Sequence, residues 1–368
     1  MNLSCRYPGF VDVHVHFRDP GLHDAETTAS GLAAAARGGF AAVVTMPNTN
    51  PATDSPDAMD YQRRAAAASA GGVLLLPSAC ITKGRLGREV ADLEALAEAG
   101  AAFFTDDGSY VADDHVMEEA MRRSARLGMS VCQHAMDPRE QRDGVIRDCP
   151  LARRLHLPVI PPSAETAAIR RDLSICRVTG CRLHVQHIST AEGVELVRGA
   201  QKEGLPVTAE ATPHHLLLSC GQIPRDDANY KMAPPLGNDE DRAELRRAVR
   251  DGILMFATDH APHPAAAKAR GFAGSANGII GLETAVAITW AVMVEEEGMS
   301  PDAWARAWWE MPRAILSPRA AAALAAAPET VVEAGARRAV ETGRFASLSR
   351  NCPYDGMLFD CWPRLEPR

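Results

Sequence analysis

The chain has few of the features that mark non-enzymatic classes. Its nine cysteines are odd in number, scattered, and contain no CxxC pair, so neither a disulfide framework nor a cysteine-based zinc module is expected, and a reduced compartment fits best. Aromatic residues make up only 5% of the sequence, too few for a surface that stacks single-stranded bases. No basic run accompanies the formal charge of −8, which argues against nucleic acid, and no block of like charge suggests a solvated tail. There is no basic segment followed by an apolar core at the start, and no apolar run long enough to span a bilayer. The expectation is a soluble, cytoplasmic protein that acts on a small molecule.

What is present is a rhythm. Eight short apolar, β-rich runs recur: FVDVHVHF (10–17), FAAVVTMPNT (40–49), GVLLLPSAC (72–80), AAFFTDDG (101–108), MSVCQHAMD (129–137), RLHVQHIST (182–190), LPVTAEATPHH (205–215) and ILMFATDHAPH (253–263). Stretches of helical composition, such as DSPDAMDYQRRAAAASA and DDHVMEEAMRRSARLG, lie between them. Strand and helix alternating in this way implies parallel strands with crossover helices, and eight such units predict an α/β fold of the (β/α)8 TIM-barrel type. The polar residues gather at the C-terminal ends of the runs, where such barrels carry their active sites. A doubly wound sheet would gather ligands at one switch point instead. The barrel is assigned to residues 8–315, and residues 316–368 read as a C-terminal helix followed by an extended tail.

Within the first run, Asp12, His14, His16 and Arg18 stand at alternate positions, with Val11, Val13, Val15 and Phe17 between them. Alternation in a strand puts the four polar groups on one face, which suits a strand buried on both sides with one side lining a polar site. Five of the eight strand ends carry a candidate metal ligand: His14 and His16, Asp106 or Asp107, His134, His187, and Asp259. Any one of them has an ordinary explanation, and an Asp before Gly is usually turn chemistry. Taken together they form an imidazole–carboxylate set suited to zinc, with an Asp able to bridge two ions.

These stretches carry a resemblance. PGFVDVHVHFRDPG, TMPNTNP, FFTDDG, QHAMD, VQHIST, ATPHH and ATDHAPH, spread over residues 8 to about 285, resemble the dihydroorotases of the cyclic amidohydrolase superfamily, in the bacterial group where an aspartate replaces the carbamylated lysine. The resemblance implies His14, His16 and Asp259 on one Zn2+ and His134 and His187 on another, with Asp107 bridging and Asp106 as the alternative that strand parity alone leaves open. One or two zinc ions per chain are expected. It further implies Arg18, Asn48 and His263 as substrate ligands and Asp259 as the catalytic base, then acid, in the reversible hydrolysis of dihydroorotate to N-carbamoyl-aspartate.

Two stretches depart from the family pattern. KMAPPLGNDEDR has Ala233 and Gly237 where Asn and Arg are usual, and Asn277 stands where an apolar residue is usual and is a candidate to compensate. Another cyclic amide (a dihydropyrimidine, hydantoin or ureido acid) is therefore the alternative substrate class. A non-catalytic partner of aspartate transcarbamoylase is the alternative outside enzymology. Family members usually begin with several dozen residues of a small β-sandwich; only nine precede Phe10, so a vestigial sandwich, and a homo-oligomer covering the exposed flank, are expected. His214 and His215 are expected to support or pack, and Glu283 in GLETA to complement a helix dipole.

Overall fold

The computed structural model describes residues 3–69 and 71–367. After a short strand β1 (Leu3–Tyr7), seven of the eight apolar runs form strands: β2 (Phe10–Val15), β3 (Phe40–Thr45), β4 (Leu74–Pro77), β5 (Ser130–Gln133), β6 (Arg182–Val185), β7 (Val207–Ala211) and β8 (Leu254–Phe256). The run at 101–108 forms no regular strand. Its Phe104 alone bridges Ala79 after β4 and Val131 of β5, both in parallel, because the turn at Asp106, Asp107 and Gly108 (φ 75°) bends the chain away at once. Strands β2, β3 and β4 pair in parallel, as do β5 through β8. Beyond β8, His260 bridges Val15 of β2 in parallel, and the His16 N–H donates to the His260 carbonyl at 2.8 Å.

Helices return the chain between strands, and their ends carry the expected signals. Thr27 caps Thr28–Arg37 with a capping box, Ser55 caps Pro56–Ala67 ahead of Pro56, and Asp113 caps Asp114–Leu127, which Gly128 terminates in the left-handed region. The core has two parts. One lies between strands and helices and includes Phe10, Phe40, Val131, Leu183, Val185 and Phe256 with Met117, Ile169, Val194 and Leu245. The other is built from the intervening strand residues Val11, Val13, Ala42, Val44, Leu76, Cys132 and Met255, with Phe103, and Ile315, Leu316 and Leu324 join it.

The C-terminal segment differs from expectation. A helix does form at Pro318–Ala323, but Pro328 ends helical structure, and the β-branched Thr330, Val331 and Val332 lie in a strand, β9 (Glu329–Ala339). Between β1 and β10 (Leu358–Glu366), β9 is the middle strand of an antiparallel sheet. Thr330 fastens that sheet to the parallel strands, its hydroxyl accepting from Phe10 N–H and donating to the Gly39 carbonyl. All nine cysteines are free, and no helix among the described residues is long and apolar enough to cross a membrane.

Candidate metal centre

The strict alternation expected of the first run does not persist to its end. Register with β3 breaks between Asp12 and Val15, so Val11 and Val13 pack in one core cluster while Val15 and Phe17 pack in the other. Such a break re-aims side chains, as β-bulges do beside active sites. Asp12 spans the break: its carboxylate accepts from His14 N–H (3.2 Å), Thr258 N–H (3.0 Å) and the Thr258 hydroxyl. It thereby couples the strand end carrying His14 and His16 to the one carrying Asp259. Arg18, His187 and Asp259 adopt positive φ (58°, 34° and 48°), a conformation costing of order 1–3 kcal/mol for a side-chain-bearing residue and concentrated at functional sites.

All six expected ligands meet. Asp259 Oδ1 lies 3.0 Å from His16 Nε2 and 3.6 Å from His14 Nε2. Asp107 stands between the two halves, with Oδ1 at 3.3 Å from His14 Nε2, 3.6 Å from His134 Nδ1 and 3.5 Å from His187 Nε2, and Oδ2 at 3.3 Å from His16 Nε2. His134 Nδ1 and His187 Nε2 are 2.9 Å apart. Two interlocking groups result, His14–His16–Asp259 and His14–Asp107–His187, each with its ligand atoms within 4.8 Å of one another. Asp106 is occupied elsewhere, accepting from the Ile81 and Thr82 N–H groups and the Thr82 hydroxyl.

The donor set fits a divalent cation on two counts. His14 Nε2 and Asp107 Oδ1 are buried without a hydrogen-bond partner, and each such atom costs about 1–3 kcal/mol unless something satisfies it. The outer ring nitrogens are already engaged: His14 Nδ1 donates to Glu210 Oε1 (2.6 Å) and His16 Nδ1 to Asn48 Oδ1 (2.8 Å), which leaves both Nε2 lone pairs facing inward. Glu210 also holds His184 at 2.9 Å, and burial of its carboxyl is outweighed by His14 and His184, which bring its pKa down to about 2.

Charges within the cluster are strongly coupled. Burial opposes ionisation of Asp107 and Asp259, yet the surrounding imidazoles hold both below the usual carboxylate range. Burial likewise opposes a charge on His14, but Asp107 and Glu210 draw a proton onto it. A pair of carboxylates that draws a proton to that point would draw a cation there equally, displacing the proton. Burial pushes His16 and His134 down, toward the neutral form a ligand needs.

A cavity of about 270 Å³ opens on the cluster, lined also by Arg18, Asn48, Gln141, Ala233, Ala261, His263, Asn277 and Gly278. Burial lowers the Arg18 pKa to about 10, so the guanidinium stays cationic at neutral pH, and its Nε–H donates to the Pro262 carbonyl. Burial and the Arg18 charge lower His263 to about 3, so its ring is neutral and donates from Nε2 to the Asn277 carbonyl at 2.6 Å. Of the three positions that depart from the family pattern, Ala233 and Asn277 line the cavity and Gly237 does not. A Cβ at Gly237 would lie 2.6 Å from the Ser189 carbonyl oxygen and from Asp241 Cβ, so that position governs packing. His215 is locked between the Thr212 hydroxyl and the Pro234 carbonyl, whereas His214 Nε2 is buried with no partner among the described residues. Glu283 does more than face a helix start, since its carboxylate accepts from Ala346 and Ser347 N–H of the C-terminal tail. Glu210 is the residue that reading the strand ends overlooked. Its signal was present: a lone carboxylate in the apolar run VTAEA must be buried with a partner.

The profile of the dihydro-orotase-like family matches residues 5–193, half of the chain. A dihydroorotase of Geobacillus thermodenitrificans is 42% identical over 359 residues, covering 97% of this chain and 84% of that protein. A dihydroorotase of Bacillus caldolyticus is 42% identical over 360 residues, with the same coverage. Among solved structures, an L-hydantoinase from Arthrobacter aurescens superposes with a TM-score of 0.80 at 24% identity, covering 97% of this chain and 82% of that one, a likeness of fold. With both the sequence profile and near-full-length relatives in agreement, the chain belongs to the dihydro-orotase-like family.

Proposed function

We propose that the chain catalyses the reversible hydrolysis of dihydroorotate to N-carbamoyl-aspartate at a dinuclear zinc centre. His14, His16 and Asp259 would hold one ion and His134 and His187 the other, with Asp107, between the two groups, able to contribute to both. The observation that carries the reading is the orphaned pair His14 Nε2 and Asp107 Oδ1 inside a six-residue His/Asp cluster, beside a buried Arg18. When bound, the metal lowers the pKa of water from 15.7 toward roughly 7 and polarises the ring carbonyl. Asp259, kept ionised by its imidazole neighbours, takes a proton from the attacking water and delivers it to the ring nitrogen as the C–N bond breaks. Arg18 offers a two-pronged, charge-assisted contact to the substrate carboxylate. Asn48, its carbonyl committed to His16, has its amide N–H groups left for the ring, and neutral His263 with Asn277 forms the facing wall.

In the same reading, the parallel strands, Phe104 and the His260–Val15 bridge make up a closed (β/α)8 barrel, and the β1–β9–β10 sheet is a reduced form of the family's β-sandwich. Residues 8–315 form the catalytic body and 316–368 a strap across it. Retention of all six ligand positions favours catalysis over a purely structural partnership with aspartate transcarbamoylase. A second substrate class, other cyclic amides, is favoured by Ala233, which removes an amide side chain from the wall of the cavity. The deciding experiment counts metal by elemental analysis and follows dihydroorotate disappearance, with Asp259→Asn as control. Metal together with turnover that the control abolishes supports the proposal. Metal with turnover only on hydantoins or dihydropyrimidines moves the assignment to the second class, and absence of both overturns it.

A further inference from the structure

Residues 346–351 of the tail are stitched to the segments around Ala25, Glu26 and Glu283, behind the cavity wall. Glu283 accepts from Ala346 and Ser347 N–H, Glu26 accepts from the Ser347 hydroxyl and Leu348 N–H, and the Ser349 hydroxyl donates to the Ala25 carbonyl. These contacts deliver Asn351, which is 4% exposed, to the far side of the cavity wall. Its Oδ1 accepts from His263 N–H (3.2 Å), and its Nδ2 donates to the Ala261 carbonyl (2.9 Å) and the Gly278 carbonyl (3.1 Å). Ala261, His263 and Gly278 all line the cavity, and they come from two chain segments on either side of the loop at 264–276.

The spacing between those segments is tight. A Cβ at Gly278 would lie 2.6 Å from Ala261 Cβ and 3.2 Å from His263 Nε2, and Gly278 itself has φ 125°. The same approach sets the His263-to-Asn277 hydrogen bond. One acceptor and two donors on a short stem are needed to join these three backbone groups. A primary amide of this length supplies them, a carboxylate lacks the donors, and a hydroxyl lacks both reach and number.

We infer that Asn351 is a positioning residue that sets the substrate-facing wall formed by Ala261, His263 and Gly278, so that the C-terminal tail tunes substrate binding without touching the metal cluster. The inference rests on the proposed dihydroorotate hydrolysis for its kinetic readout. The test is Asn351→Asp, nearly isosteric, which keeps the acceptor but turns two donors into a carboxylate facing two carbonyls. Asn351→Ala serves if that variant does not fold, and Thr342→Ala, which removes a hydroxyl contact to Asp355 elsewhere in the tail, is the control. In the metal-loaded protein KM should rise about tenfold or more while kcat stays within about threefold of the parent, because a misplaced wall weakens binding before it weakens chemistry. Metal per chain should be unchanged, Thr342→Ala should leave KM at the parent value, and amide hydrogen exchange should quicken in peptides covering 260–282 only. An unchanged KM, a fall in kcat larger than the rise in KM, or metal loss in step with activity would overturn the inference. If the parent does not turn over dihydroorotate, the substrate assignment fails, and the exchange measurement then decides alone: quickening confined to 260–282 supports the positioning role, while unchanged or global exchange removes it.

Discussion

Val11 and His14 lie three residues apart on β2, yet they belong to regions built on opposite rules. Val11 sits in an apolar cluster with Val13, Val44, Phe103 and Met255, joined by Ile315, Leu316 and Leu324 from beyond the last parallel strand. His14 sits among five other ligand candidates and Glu210, with its Nε2 orphaned and three neighbouring lining residues at positive φ. The apolar end needs only shape, and its atoms are satisfied by contact. The polar end gathers buried charge and strained backbone that would not persist unless the surrounding structure over-determined them. The same strands serve both, so rigidity secured at one end holds a costly geometry at the other. On the proposed barrel reading, stability and chemistry divide in the same sense.

The sharpest way to break that division is to disarm the polar end alone. Asp107→Asn should lower turnover by about a thousandfold or more by removing the carboxylate proposed to serve both ions. In the metal-free protein it should lower the melting temperature, because the imidazoles that hold this carboxylate ionised lose their partner, and in the metal-loaded protein the loss should be larger. Calorimetry with and without chelator, beside the activity assay, checks both; an equal loss of stability with and without metal would mean the carboxylate serves the fold and not the ion. The complementary change is Phe103→Ala at the apolar end, 1% exposed. It should cost about 3–5 kcal/mol in denaturant unfolding, with kcat/KM per folded molecule held at the parent value. A matching loss of kcat/KM would show that the two ends are not separable.

Glu210→Gln probes the border between them. Glu210 orients His14 from behind, accepts from the His187 N–H at 3.2 Å and does not itself line the cavity, so metal affinity should fall about 10–100-fold with the fold intact. Competition against a chelator measures it, and an affinity equal to the parent's would remove Glu210 from the centre.

Which of these residues could be seen in the sequence follows from the range of the interactions that place them. His14, His16, His134, His187 and Asp259 were legible because each is a polar residue ending an apolar run, a local contrast. The choice of Asp107 over Asp106 was not, because it depends on the turn that spends Asp106 on Ile81 and Thr82. The register break after Asp12 is set by pairing with β3 and by Thr258, 246 residues away, which leave no periodic trace. The strand at Glu329–Ala339 was hidden behind an alanine-rich stretch whose helical signal continues up to Pro328. Asn351 reaches residues 73 to 90 positions back in the chain, and the motif around it shows no sign of that contact.

The smallest expected effect tests whether acid sensitivity also belongs to one end. Burial lowers the His214 pKa from its ordinary value near 6.5 to about 4 and, with Arg18, lowers His263 to about 3. Between those values and 6.5 the unfolded chain carries protons on both rings and the folded chain does not. Stability must therefore rise with pH across that window and be lost as pH falls through it. Each ring contributes a slope of at most about 1.4 kcal/mol per pH unit. No residue of the apolar cluster titrates there, since burial raises even the Cys132 thiol well above its usual value. His214→Gln should accordingly flatten the dependence of unfolding free energy on pH between about 6 and 4.5 by up to one proton's worth, measured in metal-free protein at constant ionic strength. A variant that keeps the parent slope would place the acid sensitivity elsewhere and remove His214 from the groups that carry it.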